Sequence, residues 1–171
     1  MWGMMSRVFG AGEYEWDKKL RTYPSSKADH PVVLVSLDDA QAYAKWAEVE
    51  LPTEQEWEKA ARGMKGNLYP WGDEWQEGYC NSNETGIGGT ISVGHFSPQG
   101  DSPYGCVDMS GNVWEWTRSK YKKGPGNLVR RGGSWLHGLK MMRTTYSSFA
   151  LSNERKTDMG FRVVVVRPPS Q

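Results

Sequence analysis

The stretch Asp108-Met109-Ser110-Gly111-Asn112-Val113-Trp114-Glu115-Trp116 limits this chain more than any other. It puts two indoles and two carboxylates around one glycine. If the segment is extended, alternation places Asn112, Trp114 and Trp116 on one side and Val113 and Glu115 on the other. Such a strand gives two large aromatic side chains to a core and one carboxylate to a different environment. Asp108 and Glu115, with the turn at Gly111, have the oxygen chemistry of a hard-cation site. The plainer alternative is that Asp108 caps a turn and Glu115 pairs with an arginine.

A domain built on such a stretch needs many irregular turns held by large side chains. The composition agrees, with nine tryptophans and 20 glycines in 171 residues. That length fits one domain, residues 1–171, with a real core. The formal net charge of +1 argues against a nucleic-acid partner held by bulk charge. The longest apolar run, Val163 to Val166, is far too short to span a bilayer. No charged segment followed by a long apolar run marks a secretory signal, and the compartment stays open. Two cysteines, Cys80 and Cys106, are too few for a disulfide scaffold. A bridge between them and a pair of free thiols are equal readings.

Met1 to Ala28 shows no clear period. Pro31 opens Val32-Val33-Leu34-Val35, which reads as a strand. Ser36 then caps a helix with Ala40, Tyr43, Ala44 and Ala47 as its apolar stripe. Thr53 and Glu56 form a capping box for a second helix, whose inner face is Trp57, Ala60 and Ala61 and whose stop is Gly63. From Asn67 to Asn127 the sequence reads as loops with short strands, such as Thr90 to Val93. Leu128 to Arg131 and Val163 to Val166 read as terminal strands.

Six motifs carry a resemblance. They are Leu51-Pro-Thr-Glu-Gln-Glu-Trp57 running on to Gly63, Tyr69-Pro-Trp-Gly72, the Asn81 region, Asp108 to Trp116, Arg131-Gly-Gly-Ser-Trp135 and Gly160-Phe-Arg162. In this order they resemble the formylglycine-generating enzyme, or sulfatase-modifying factor, family, a branch of the C-type lectin fold. The resemblance implies an α+β domain with two helices, small antiparallel sheets and many ordered loops. Full-length members carry a further N-terminal strand and helix, so Met1 to Ala28 either supplies a substitute strand or the chain is a compact relative. The resemblance also implies structural calcium, at Asp108, Gly111, Val113 and Glu115, with Asn81 and Ser82 beginning a second site to which Glu84 is a candidate.

The family's enzyme oxidises a cysteine using two copper-binding cysteines in its last segment. Here Leu136 to Met159 contains no cysteine. Met141 and Met142 are soft donors, but a thioether cannot be a deprotonated nucleophile, and filling a core gap is their ordinary role. His30, His95 and His137 match no ligand spacing. No catalytic residue or catalytic cofactor is therefore expected, and an oxidoreductase acting on sulfatases is the disfavoured alternative. The chain also resembles the variable proteins of diversity-generating retroelements, which share Gly-Gly-Ser-Trp before a diversified segment and Gly-Phe-Arg after it. That likeness implies a non-catalytic display scaffold for a protein or surface ligand; the chain is expected to be a monomer and, on its net charge, to have no nucleic-acid partner. The expected binding residues are Leu136, His137, Gly138, Thr144, Thr145, Tyr146, Ser147, Ser148, Phe149, Leu151 and Asn153. Tyr146 and Phe149 would serve as rigid aromatic anchors.

Overall fold

The computed structural model describes residues 13, 14, 17, 19, 20, 22–121 and 126–165. Among the described residues two α-helices and one four-stranded sheet lie among long ordered loops. The expected substitute strand within Met1 to Ala28 falls largely outside these residues. The described part of that stretch adds a single bridge, Asp17 to Thr22, and the buried ring of Tyr14.

Helix α1, Leu37–Trp46, starts where Ser36 predicts. The Ser36 hydroxyl accepts from Asp39 N–H (3.2 Å) and Asp39 Oδ2 accepts from Ser36 N–H (2.8 Å). Leu37, Ala40 and Ala44 face inward, while Tyr43 is 46% exposed and lies against Trp46 and Phe161. Its place in the predicted stripe is corrected accordingly. Helix α2, Glu54–Arg62, carries the expected box between Thr53 and Glu56. It ends at Gly63, whose φ of 66° suits a residue without a Cβ. Trp57 and Ala61 form its buried face.

The strands are β1 (Trp114–Lys120), β2 (Asn127–Arg131), β3 (Ser147–Leu151) and β4 (Met159–Phe161), in spatial order β3-β2-β1-β4. β1 pairs antiparallel with β2, and β2 with β3. β4 runs parallel to β1, so the sheet is mixed rather than purely antiparallel. The register separates two faces. Trp114, Trp116, Ala150 and Met159 pack on Leu37 and Ala40 of α1. On the other face Glu115 and Arg131 lie opposite each other and meet α2 through Trp57 and Glu58. The predicted split of Trp114 and Trp116 from Glu115 is thus present. It begins at Trp114, because Asn112 has φ 62° and belongs to the preceding turn.

Three predicted strands are corrected. Val32 to Val35 is broken by Leu34 at φ 60°, whose N–H bonds the Lys156 carbonyl (3.0 Å). Val35 meanwhile gives its carbonyl to the Trp116 indole (3.0 Å). Thr90 to Val93 forms no ladder, and Val93 N–H goes to the Asp29 carbonyl (2.8 Å). The terminal strand lies earlier, at Met159–Phe161, with Val164 making only a bridge to Glu50 and Val166 outside the described residues. Gly160 permits the close approach of Val32 to this strand, since a Cβ there would sit 2.3 Å from the Val32 carbonyl oxygen. No helix among the described residues is long and apolar enough to cross a membrane.

Candidate functional site

Two regions hold the residues singled out in the sequence. The first is a cavity of about 190 Å³ beneath the start of β1. Asp108, Gly111, Val113 and Glu115 all line it, with Arg162 and Phe161 opposite. The turn that gathers them depends on Gly111. Its φ is 79°, and an added Cβ would lie 2.3 Å from the Asn81 carbonyl oxygen. Asn81 is buried and threads through the same turn, accepting from Asn112 N–H (2.8 Å) and donating to the Gly89 carbonyl (2.9 Å).

Glu115 is 6% exposed, and both of its oxygens accept hydrogen bonds, with Oε1 keeping acceptor capacity. The Trp57 indole donates to Oε2 (2.6 Å), and Arg162 Nη2 donates to Oε1 (2.7 Å) while its Nε reaches Oε2. Arg162 also donates to the carbonyls of Val107 (3.1 Å) and Asp108 (3.4 Å). Asp108 Oδ2 accepts from Gly94 N–H (2.8 Å). Burial pushes the Asp108 carboxyl up, against the pull of Gly94 and Arg162, with Glu115 and Asp101 adding to the rise. Two carboxylates therefore share one guanidinium, and burial disfavours the charged form of Asp108. Among the described residues no three His, Cys, Asp or Glu side chains gather as a metal group, so a cation here would need carbonyl oxygens as well.

At the candidate second site the Ser82 carbonyl and a Glu84 carboxylate oxygen already have partners. The Ser82 carbonyl accepts from Thr85 Oγ1 (2.6 Å), and Glu84 Oε1 accepts from Leu139 N–H (2.9 Å). Glu84 thus anchors the terminal segment, a role that its sequence neighbours do not betray. Cys80 and Cys106 are free thiols, which decides between the two readings. Burial pushes the Cys80 thiol up to about 12, so it is neutral and unreactive at ordinary pH.

The second region is the stretch from Leu136 to Asn153. Leu136, Thr145, Phe149, Leu151 and Asn153 are exposed. Phe149 stacks on Tyr121 with ring centroids 4.6 Å apart. Ser147, Ser148 and Gly138 are half-buried, and Arg130 Nη2 reaches Ser148 Oγ (3.4 Å). Thr144 is corrected outright. It is 0% exposed, and its hydroxyl donates to the Asn67 carbonyl (2.7 Å), which makes it framework. Tyr146 is half-buried against the α1 core and 6.2 Å from Trp114, so it is a poor free anchor. His137 lies edge-on to Trp114 at 5.4 Å, and its Nδ1 shares a hydrogen with Ser134 Oγ at 2.6 Å. Burial holds the His137 imidazole below the ordinary histidine range, against the pull of Asp158. Met142 is fully buried beside Tyr69 and Cys80, and Met141 packs against the same cluster, which is the gap-filling role.

Residues 8–167 match the family profile described as "sulfatase-modifying factor enzyme 1-like domain". The chain is 45% identical over 122 residues to the inactive C-alpha-formylglycine-generating enzyme 2 of Bos taurus, covering 64% of this chain and 40% of that protein. It is 44% identical over 110 residues to the formylglycine-generating enzyme of Mycobacterium tuberculosis, covering 57% and 36%. The chain thus spans about two fifths of the length of these relatives. Similar solved structures include Treponema denticola variable protein 1 (TM-score 0.70, 18% identity, 80% of this chain and 71% of that one). PvdO from Pseudomonas aeruginosa is another (TM-score 0.69, 25% identity, 79% and 61%). The motifs, the mixed sheet between two capped helices and the profile match over nearly all of the sequence agree, and the chain belongs to the sulfatase-modifying factor enzyme 1-like family.

Proposed function

We propose that this chain is a non-catalytic binding module that presents the surface between Leu136 and Asn153 to a protein or surface ligand. The observation that carries the reading is the absence of cysteine from the whole segment Leu136 to Met159, where the family's oxidase chemistry would need thiolates. The exposed side chains of Leu136, Thr145, Phe149, Leu151 and Asn153 support it, because they stand on framework fixed by Thr144, Met142 and Ala150. A relative with 45% identity is named an inactive enzyme, which agrees with loss of catalysis. The alternative, an oxidoreductase that modifies sulfatases, is tested by incubating the protein with a sulfatase-motif cysteine peptide, copper and oxygen. Mass spectrometry should find the peptide unchanged, and conversion of its cysteine to the aldehyde would overturn the reading.

We propose in addition that the 190 Å³ pocket holds a structural calcium ion. The Asp108 and Glu115 side chains and the carbonyls of Gly111 and Val113 would hold it, and all are hard oxygen donors. Arg162 pairs with Glu115, and a cation beside Asp108 would stabilise the charged carboxylate that burial disfavours. When bound, the ion supplies charge compensation and order to the 108–113 turn, not reactivity. The Asn81 and Ser82 pair is the proposed start of a second site, with Glu84 committed instead to Leu139.

A further inference from the structure

The free edge of the sheet says more about a ligand than the side chains upon it. β3 is an outer strand. Leu151 N–H donates to Glu154 Oε1 (3.0 Å), and the Leu151 carbonyl accepts from Glu154 N–H (2.9 Å). The Leu151 backbone therefore points away from β2. In an antiparallel ladder that direction recurs at every second residue. The N–H and C=O of Phe149 and Ser147 therefore point outward too. β2 agrees, because Val129, opposite Phe149, gives its carbonyl to Thr117 Oγ1 of β1 (2.8 Å) and not to β3. Among the described residues no protein group bonds these outward groups of Ser147 and Phe149. Glu154 closes the edge at one end, and the turn in which Tyr146 N–H bonds the Arg143 carbonyl (2.9 Å) closes it at the other.

The surroundings of this gap have a definite chemistry. Phe149 is 47% and Leu151 50% exposed on one face, and Tyr121 supports the Phe149 ring from behind. Arg143, in the turn before β3, is exposed and, among the described residues, takes part in no ion pair. The nearby acid Glu154 is already paired with Lys156. The geometry points to an extended peptide bearing a carboxylate, which adds as a strand to β3, lays an apolar side chain on Phe149 and Leu151, and meets Arg143 with its acid. Strand addition draws affinity from main-chain hydrogen bonds and selectivity from alternate side chains. A second copy of this chain fits less well. Two free residues per strand bury far less than the roughly 1,200 Å² of a stable interface, and two copies would add their unpaired cations instead of neutralising them.

This inference rests on the reading of the 136–153 surface as a binding face and names its partner class. The probe is a fluorescein-labelled peptide of about ten residues, alternating valine and threonine with aspartate at both ends, an extended strand by composition. It should bind the unaltered protein and slow hydrogen exchange at the Ser147 and Phe149 amides at least tenfold. N-methylation of one alternate set of peptide amides should weaken binding at least tenfold, and N-methylation of the other set should not. Ser147→Pro should weaken binding while Ser147→Ala does not, and Arg143→Glu should shift preference to a lysine-flanked peptide. The inference is overturned by no anisotropy change up to millimolar protein, by equal binding of both N-methylated peptides, or by unaltered exchange at Ser147 and Phe149. The peptide arms need no protein variant, so a misfolded Ser147→Pro would not blunt them. Those failures would leave the wider binding reading standing, whereas aldehyde formation would remove that reading even if the peptide pairs with β3.

Discussion

Glu115 is where three parts of the chain meet. Trp57 comes from α2, Arg162 from beyond β4, and the carboxylate from β1. Removing one partner of a buried ion pair leaves the other without compensation. Glu115→Ala should cost about 3 kcal/mol in denaturant melts, toward the lower end of that effect because the Arg162 side chain keeps 25% exposure. Asp108 carries a pH dependence of its own. Its folded carboxyl is held above its ordinary value, so its contribution to stability is full below the unfolded carboxylate range, near 3.9, and is lost as pH rises through the raised folded value. Asp108→Asn should remove that part of the pH dependence in melts recorded with chelator. Without chelator, free calcium should raise the melting temperature of the parent and not of Asp108→Asn. An identical calcium response in both proteins would eliminate the proposed ion. The carboxylates were legible in the sequence and so was an arginine partner for Glu115, but not which arginine. Arg162 stands 47 positions away, and only the parallel pairing of β4 with β1 brings it in.

At the scale of elements, the clearest signals were local ones. Ser36, Thr53 and Gly63 mark helix ends through hydrogen bonds spanning three or four residues, and all three act as predicted. Thr53→Ala should cost about 1 kcal/mol by leaving Glu56 N–H without its cap. Strands were legible only where a partner happened to match the apolar run. Val32 to Val35 has the composition of a strand, yet the Val35 carbonyl serves Trp116, the Leu34 amide serves Lys156, and Leu34 turns away. Thr144 misled in the same manner, because a polar residue in a polar run gives no sign that its hydroxyl is consumed by Asn67. Gly111→Ala is the sharpest test of the 108–113 turn. Its Cβ would meet backbone oxygen, and nothing flexible can yield, so the variant should lose cooperative unfolding or melt far below the parent.

For the molecule as a whole, the proposed binding surface and the framework should be separable. Replacing Leu136, Thr145, Phe149, Leu151 and Asn153 together by other polar or aromatic residues touches only exposed side chains. Such changes usually move stability by about half a kcal/mol each. The combined variant should therefore keep its far-ultraviolet spectrum and a cooperative melt. Adding Thr144→Ala to the set should lower the melting temperature distinctly, which a surface role for Thr144 would not. The sheet has one further consequence, concerning synthesis. β1 is central, yet one of its neighbours is β4 at Met159–Phe161, and α1 is tied to the 152 carbonyl through Leu37 N–H. Contacts so distant in sequence need the whole intervening chain and slow folding. A nascent chain on the ribosome therefore has no completed sheet until Phe161 has cleared the exit tunnel. Stalled chains ending before Phe161 should be cut readily by protease, and those extended past it by a tunnel's length should abruptly resist.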